Sequence, residues 1–286
     1  MEYSFTNVWG QSWAMYKKSW LMLTAGVAIV IAASIPTQVI NLAQNGLLFG
    51  QQKNPDQPIW GALTGGLGCF VLIYNIFVLV PLSMGLMWMG LRAARGQIPN
   101  IGDILRGYRR FPTILGTCIL MYIFILIPIV LAAAVDAAII YFGIGFEVFQ
   151  DGVQKSDFDN FSIAALVSAG IWTLFCIFVM YWIGLRISFS PLVALDDSIP
   201  ARGPLASIEM SWKITRGRAL SLLGLFITVW VLLVATIFAC CLPSIVLGYP
   251  LALTMFGLAY NMLLNRDGFT DQHNNQFVNP PTDAAV

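Results

Sequence analysis

The fold class is indicated by one stretch of the chain, residues 113–142, which reads TILGTCILMYIFILIPIVLAAAVDAAIIYF. Its only charged residue is Asp136. The apolar residues are continuous, so the stretch lacks the alternation expected of a strand in a membrane barrel. A helix needs about 20 residues to cross the hydrocarbon core of a bilayer. The stretch therefore predicts a transmembrane helix.

Five further apolar segments are long enough to cross a bilayer. The six predicted spans are residues 20–40, 60–94, 113–142, 161–193, 219–242 and 244–264. The second and fourth exceed one span, and we expect them to tilt or to project beyond the headgroups. We predict an all-α polytopic integral membrane protein, with one six-helix transmembrane domain at residues 1–265. The polar tail at residues 266–286 is expected to be disordered and cytoplasmic.

The composition agrees with a lipid environment. The chain has 286 residues, of which 58% are hydrophobic and 10% are charged, and its net charge is +1. A soluble domain carries about 25% charged residues, so a soluble enzyme of ordinary surface is excluded. The small net charge gives no reason to expect a nucleic-acid partner.

The basic residues predict the orientation of the chain in the membrane. Six spans place both termini on one side, and that side holds thirteen of the fifteen basic residues. The other side holds only Lys53 and Lys155. Because cytoplasmic loops carry an excess of Lys and Arg, we expect both termini to be cytoplasmic.

Three segments beside the spans have the pattern of amphipathic helices lying in the membrane interface. They are residues 5–20, 101–111 and 204–216. In the second, one face is expected to carry Ile101, Ile104, Leu105, Tyr108 and Phe111. In the third, Leu205, Ile208 and Trp212 align, while Met210 and Ile214 lie opposite, and Gly203-Pro204 marks the helix start.

The prolines suggest an internal threefold repeat. Pro36, Pro128 and Pro243 lie near the end of each outgoing span, and Pro81, Pro191 and Pro250 lie in the returning spans. We therefore predict three parallel copies, near residues 4–95, 100–197 and 203–265. The alternative is that prolines and interfacial aromatic residues are common in membrane helices without any repeat.

Several features together resemble a bacterial membrane family. They are Pro81 and Gly85 in the second span, the short basic helix at residues 103–111, Asp196-Asp197, the segment with Ala206 and Ser211, and Pro250 and Tyr260 in the last span. The chain is similar over most of residues 5–264 to the membrane domain attached to some bacterial glycerophosphodiester phosphodiesterases, and to its stand-alone relatives of unknown function. The resemblance implies a helical fold in the bacterial inner membrane. In that family the phosphodiesterase chemistry belongs to a separate soluble domain, so no catalytic residue is implied.

Ten basic residues form the candidate binding site. The first basic cluster is Arg92, Arg95, Arg106, Arg109 and Arg110, and the second basic cluster is Arg186, Arg202, Lys213, Arg216 and Arg218. Basic side chains beside an anionic leaflet attract its headgroups, and Arg suits bidentate contact with phosphate. We expect these residues to bind anionic lipid headgroups. The alternative is that they only set the topology.

The remaining polar residues offer little chemistry. The single histidine, His273, lies in the tail, so no nucleophile–base pair can be formed with it inside the membrane. Asp136 is expected either at a solvated helix end or in a polar contact. Asn75 is expected to form a hydrogen bond to a neighbouring helix. Asp196 and Asp197 are expected to form ion pairs with Arg186 and Arg202. No cofactor and no metal site is predicted.

Two functional hypotheses follow. The first is a non-catalytic scaffold or accessory subunit that interacts with anionic membrane lipid and with a protein partner or a second copy of the chain. The second is a transporter or lipid-handling protein with a pathway between the repeats, since proline-broken helices often line such pathways. An intramembrane enzyme is the least supported, because catalytic groups at membrane depth are lacking in the sequence.

Overall fold

The computed structural model describes residues 5–53, 58–144, 163–199, 203–238 and 243–266. Within these residues the chain is helical and contains no strand. The α-helices are α1 (Phe5–Lys53), α2 (Pro58–Tyr74), α3 (Val80–Ala94), α4 (Arg106–Arg109), α5 (Phe111–Ile144), α6 (Ile163–Ile187), α7 (Ser190–Leu195), α8 (Pro204–Thr215), α9 (Ala219–Phe238) and α10 (Tyr249–Arg266). A 3₁₀-helix covers Ile101–Leu105, and π-helices cover Asn75–Leu79 and Ser244–Gly248. The tail at residues 267–286 and Arg202 lie outside the described residues.

The prediction of an all-α polytopic membrane protein is confirmed. Six helical segments are long and apolar enough to cross a bilayer. They are Val8–Leu47, Leu63–Ala94, Phe111–Ala138, Gly170–Leu195, Ala219–Phe238 and Ser244–Asn265. The sixth segment is the most enclosed by protein, whereas the third exposes most of its apolar side chains. The first five therefore present most of their surface to lipid, and the sixth packs inside.

The helix geometry changes just before a proline in three of these segments. The π-helix Asn75–Leu79 precedes Pro81, and the π-helix Ser244–Gly248 precedes Pro250. In the fourth segment α6 ends at Ile187, and α7 begins with Pro191 in its first turn. Proline lacks an N–H group and its ring crowds the carbonyl four residues earlier, which favours a change of geometry in the preceding turn. Pro36 and Pro128 nevertheless lie inside continuous α-helices, so a proline alone does not determine these breaks. These breaks occupy matching places in the predicted repeat, and the repeat itself stays a prediction.

The first predicted interfacial helix is wrong as a separate element. Residues 5–20 belong to α1, which continues without a break to Lys53 and contains Pro36. No proline or helix-ending glycine motif separates the two parts. The Tyr16 hydroxyl also donates a hydrogen bond to the Val246 carbonyl at 2.9 Å, which fixes this part of α1 against the last span.

The core of the molecule is built around α3 and α10. The two helices cross where Gly90 and Gly257 bring the backbones together, and an added Cβ on Gly257 would lie 2.8 Å from the Gly90 carbonyl oxygen. Met89 and Leu91 of α3, and Met255 of α10, are fully buried near this crossing. Small residues at a helix crossing permit close packing, which replaces the hydrophobic driving force that lipid removes.

The predicted amphipathic helix at residues 101–111 is wrong in its geometry. The 3₁₀-helix is capped by Asn100, whose side chain accepts a hydrogen bond from the Gly102 N–H at 3.2 Å. The segment then folds back along α3, so closely that a Cβ on Gly85 would clash with the Ile104 carbonyl and one on Gly107 with the Pro81 carbonyl. Of the predicted apolar face, Ile104 alone is fully buried among the described residues. The backbone contacts with α3, rather than an apolar stripe, determine the position of the segment.

The third predicted interfacial helix begins at Pro204 as expected and ends at Thr215. Its buried face differs from the predicted one. Of the predicted face, Ile208 is buried, but Leu205 and Trp212 are exposed. Met210 and Ile214 are buried, together with Ser207 and Ser211. The buried positions recur at three- and four-residue spacing, so one face of α8 packs on protein and leaves Leu205 and Trp212 on its surface.

Candidate functional site

The structure describes nine of the ten predicted basic residues, and it divides them by their partners. Most of the first basic cluster is engaged with aspartate carboxylates of the same chain. Arg186 of the second basic cluster has no such partner among the described residues. This division decides which residues are available to an external anion.

Arg92 holds α3 to the 3₁₀-helix. Its guanidinium lies 2.6 Å from the Asp103 carboxylate and donates a further hydrogen bond to the Gln97 side chain at 3.1 Å. Asp103 also accepts a hydrogen bond from the Asn100 backbone N–H at 2.7 Å, which completes a capping box. One carboxylate thus serves both as a helix cap and as a counter-charge.

Asp196 is the most buried of the carboxylates that pair with the first basic cluster, with 1% of its surface exposed. It pairs with Arg95, the residue directly after α3. It also accepts two hydrogen bonds from Ser198, one from the hydroxyl at 2.8 Å and one from the backbone N–H at 3.1 Å. A buried charge is tolerated when it is paired and its lone pairs are satisfied. Asp196 therefore joins α3 to the turn after α7.

Asp197, the next residue, is 56% exposed and pairs with both Arg106 and Arg110. Arg110 donates a second hydrogen bond, to the Ala194 carbonyl at 3.0 Å. The two aspartates therefore pair with arginines of the first basic cluster. The predicted pairing with Arg186 is wrong, because that guanidinium packs against tryptophan rings instead.

The Trp88 ring lies beneath two guanidinium groups of the first basic cluster. The Arg106 guanidinium carbon lies 3.9 Å from the centre of the Trp88 ring, and that of Arg95 lies 5.9 Å away. A cation over a tryptophan face is stabilised by about 0.5–2 kcal/mol. The first basic cluster is thus largely neutralised within the protein, although Arg109 is exposed and has no ion pair among the described residues.

Arg186, near the end of α6, is more buried than every arginine of the first basic cluster. It is only 9% exposed. Its guanidinium carbon lies 5.1 Å from the ring centre of Trp182 and 5.6 Å from that of Trp212. Its Nε and Nη1 atoms are buried and have no hydrogen-bond partner within the described part of the chain. A fixed positive charge is thus buried beside two aromatic rings, and none of the described carboxylates pairs with it.

The backbone at Arg186 is anchored by α8. Its carbonyl accepts hydrogen bonds from the Ser211 hydroxyl at 2.8 Å and from the Thr215 hydroxyl at 3.3 Å. The last carbonyls of a helix lack intrahelical partners, and these two hydroxyls satisfy one of them. Trp212 is carried between them on the same helix, so α8 positions the aromatic ring over the guanidinium.

The rest of the second basic cluster is more exposed. Lys213 lies 2.7 Å from Glu209, one helical turn earlier, and the hydrogen bond from its ammonium group lowers the pKa of the Glu209 carboxyl. Arg216 is exposed and Arg218 is partly buried. The Lys213–Glu209 pair is exposed and screened by solvent, so Lys213 can exchange its partner for a lipid headgroup.

The two other predicted polar residues make local contacts. Asp136 accepts a hydrogen bond from the Thr173 hydroxyl at 3.0 Å, which links α5 to α6. Asn75 donates to the Val71 carbonyl of its own helical segment at 2.8 Å, so the predicted bond across helices is wrong. The π-helix begins at Asn75, and the amide group there satisfies a carbonyl of the preceding turn.

Comparisons with known protein families, with curated proteins and with solved structures return no match to this chain. The resemblance to the membrane domain of glycerophosphodiester phosphodiesterases therefore stays a prediction. A functional proposal for this chain therefore rests on the geometry of its basic residues.

Sequence reasoning missed the tryptophans of this site. Trp182 and Arg186 are four residues apart on a helix, a spacing that brings their side chains together, and that signal was available in the sequence. The placement of Trp88 beneath Arg106, and of Trp212 beside Arg186, depends on how separate helices pack. Periodicity within one segment carries no information about such contacts.

Proposed function

We propose that the chain is a non-catalytic membrane component that binds anionic phospholipid headgroups through its basic residues. In this proposal the surface that carries the two basic clusters also contacts a protein partner or a second copy of the chain. The observation that carries the proposal is the buried guanidinium of Arg186. It lies between Trp182 and Trp212 and has no counter-charge among the described residues.

A guanidinium keeps its positive charge in proteins, so burial leaves it without an easy way to become neutral. Burying an unpaired charge is costly, and two aromatic faces compensate only part of that cost. A phosphate supplies the missing negative charge and accepts two parallel hydrogen bonds from Nη and Nε. Phosphate groups are abundant at the membrane surface, where each basic residue contributes about 1 kcal/mol to the binding of anionic lipid.

The non-catalytic part of the proposal is supported by how the nearby carboxylates are used. Asp103, Asp196 and Asp197 each pair with at least one arginine. The oxygen atoms of a carboxylate held in such a pair are occupied by guanidinium hydrogen bonds. These residues therefore act as structural counter-charges in this proposal.

The proposed location is the bacterial inner membrane with both termini in the cytoplasm. The thirteen-to-two distribution of basic residues supports that orientation. In that orientation the two basic clusters meet the leaflet whose surface potential attracts them.

The experiment compares the wild-type chain with Arg186→Met in nanodiscs made from equal amounts of phosphatidylglycerol and phosphatidylcholine. Native mass spectrometry measures which lipids stay bound after release from the nanodisc. We expect wild-type protein to retain phosphatidylglycerol preferentially and Arg186→Met to lose most of that preference. Lys18→Met removes an exposed basic residue of α1 that belongs to neither basic cluster, and it serves as the control with little change.

Equal retention of the two lipids by the wild-type chain would overturn the lipid part of the proposal. The same spectra report the mass of the assembly when the chain is extracted from its own membrane. A mass equal to one chain plus lipid, under all extraction conditions, would remove the partner or second copy from the proposal.

A further inference from the structure

An apolar groove opens on the side of the molecule between α5, α6 and α9. Its volume is about 530 Å³, within the range of pockets that hold small molecules. Its lining includes Met180, Tyr181, Gly184, Phe226, Ile227 and Trp230. Tyr181, Ile227 and Trp230 also belong to the exposed apolar surface, so the groove is accessible from the lipid side.

The lining of the groove on α6 ends one residue before Arg186. Gly184 and Leu185 line it, and Arg186 is the next residue along α6. On α9 the lining extends from Leu223 to Val231, which is about 12 Å of helix at 1.5 Å per residue. The groove therefore runs along the apolar helices, and Arg186 follows its last lining residue on α6.

This arrangement is complementary to one kind of molecule. A phospholipid has a phosphate at one end and acyl chains at the other, and both ends find a matching surface here. Acyl chains gain from apolar contact with protein through packing, while the phosphate gains from the guanidinium. A transmembrane helix of a partner would fill the apolar part but would bring no negative charge to Arg186.

We propose that the groove between α5, α6 and α9 holds an acyl chain of an anionic glycerophospholipid whose phosphate binds Arg186. This inference rests on the proposed function, because it uses the same guanidinium. It adds a defined lipid position, with the phosphate at Arg186 and a chain against Gly184, Phe226 and Trp230.

Gly184 offers a direct way to close the groove. Gly184 lines the groove and a Cβ added there meets no atom within 4 Å, so we expect a larger side chain at this position to project into the groove. Gly170, on the same helix and outside the groove lining, also has no atom within 4 Å of an added Cβ. Gly184→Phe and Gly170→Phe are therefore a matched pair that changes the same helix with and without filling the groove.

The probe is phosphatidylglycerol that carries a diazirine near the middle of one acyl chain, in nanodiscs of phosphatidylglycerol and phosphatidylcholine. After illumination, peptide mass spectrometry locates the cross-links. We expect the wild-type chain to be labelled mainly at groove residues such as Met180 and Ile227. Gly184→Phe should reduce labelling there at least fivefold, Arg186→Met should reduce it similarly, and Gly170→Phe should leave it unchanged.

Labelling spread evenly over the apolar surface of wild-type protein would overturn the inference without requiring any variant to fold. If phosphatidylglycerol is retained preferentially but Gly184→Phe does not alter the labelling, the groove assignment is wrong and the proposed function stands. If Gly184→Phe removes labelling while Arg186→Met leaves it intact, the groove binds chains without the phosphate contact and the inference fails. If wild-type protein does not retain phosphatidylglycerol preferentially, both proposals are contradicted.

Discussion

The phenolic hydroxyl of Tyr260 donates a hydrogen bond to the Asp196 carboxylate at 3.3 Å, across 64 positions of the sequence. Asp196 also pairs with Arg95, so three separate segments meet at one buried carboxylate. The contact ties α10 to α3 and to the turn after α7. It fixes the helix arrangement on which both basic clusters depend.

Substitution of Asp196 by asparagine should destabilise the protein by about 3–5 kcal/mol, because it leaves the Arg95 guanidinium without its counter-charge. The free energy of unfolding can be measured by SDS titration from mixed micelles. Asp197→Asn is the matched control, because that side chain is 56% exposed and its ion pairs should contribute about 1 kcal/mol or less. Equal losses in the two variants would show that burial does not distinguish the two aspartates.

Tyr260→Phe should cost about 0.5–1.5 kcal/mol, since it removes one hydrogen bond and keeps the ring packing. The Tyr260 ring lies against Phe189 with 5.9 Å between ring centres, and phenylalanine preserves that contact. The same SDS titration measures the change. A loss as large as that of Asp196→Asn would indicate that the hydroxyl, rather than Arg95, is the main partner of the carboxylate.

Gly107→Ala should destabilise the chain by about 1–3 kcal/mol or prevent folding, because the added methyl group clashes with the Pro81 carbonyl. Gly102→Ala lies in the same segment, and its Cβ meets nothing within 4 Å, so that variant should unfold like the wild type. Thermal unfolding in detergent followed by tryptophan fluorescence compares the two. Similar midpoints for both variants would contradict the close approach of α4 to α3.

Gly257→Ala should also destabilise the protein by about 1–3 kcal/mol, since its Cβ would lie 2.8 Å from the Gly90 carbonyl oxygen. Gly224→Ala, in α9, is the control because its Cβ contacts no atom within 4 Å. The quantity compared between the two variants is the midpoint temperature of thermal unfolding in detergent. If Gly257→Ala were as stable as Gly224→Ala, the crossing of α3 and α10 would have to be wider than observed.

The helical membrane class could be predicted from the sequence because continuous apolar runs of this length have few alternatives. The prediction failed where tertiary contacts decide local geometry. The segment at residues 101–111 has apolar residues at helical spacing, but the backbone contacts of Gly85 and Gly107 with their neighbours impose a 3₁₀-helix followed by a short α-helix. Such contacts involve residues some 20 positions apart and leave no periodic signal.

The candidate site was predicted as a set of basic residues, and the structure separates that set by its partners. Arg106 and Arg110 are near each other in sequence, but their counter-charge, Asp197, lies some 90 positions away. Local sequence spacing does not reveal that pairing. The unpaired character of Arg186 could likewise not be read from the sequence, because it depends on which carboxylates the fold directs to other arginines.

Binding of anionic lipid in the inner leaflet requires that the basic residues face the cytoplasm, and cysteine labelling tests that orientation directly. Arg109→Cys and Lys53→Cys are each introduced into a chain whose native cysteines are replaced by alanine, and intact cells are treated with a membrane-impermeant maleimide. We predict labelling of Lys53→Cys in intact cells, and labelling of Arg109→Cys only after the membrane is permeabilised. Labelling of Arg109→Cys in intact cells would contradict the account.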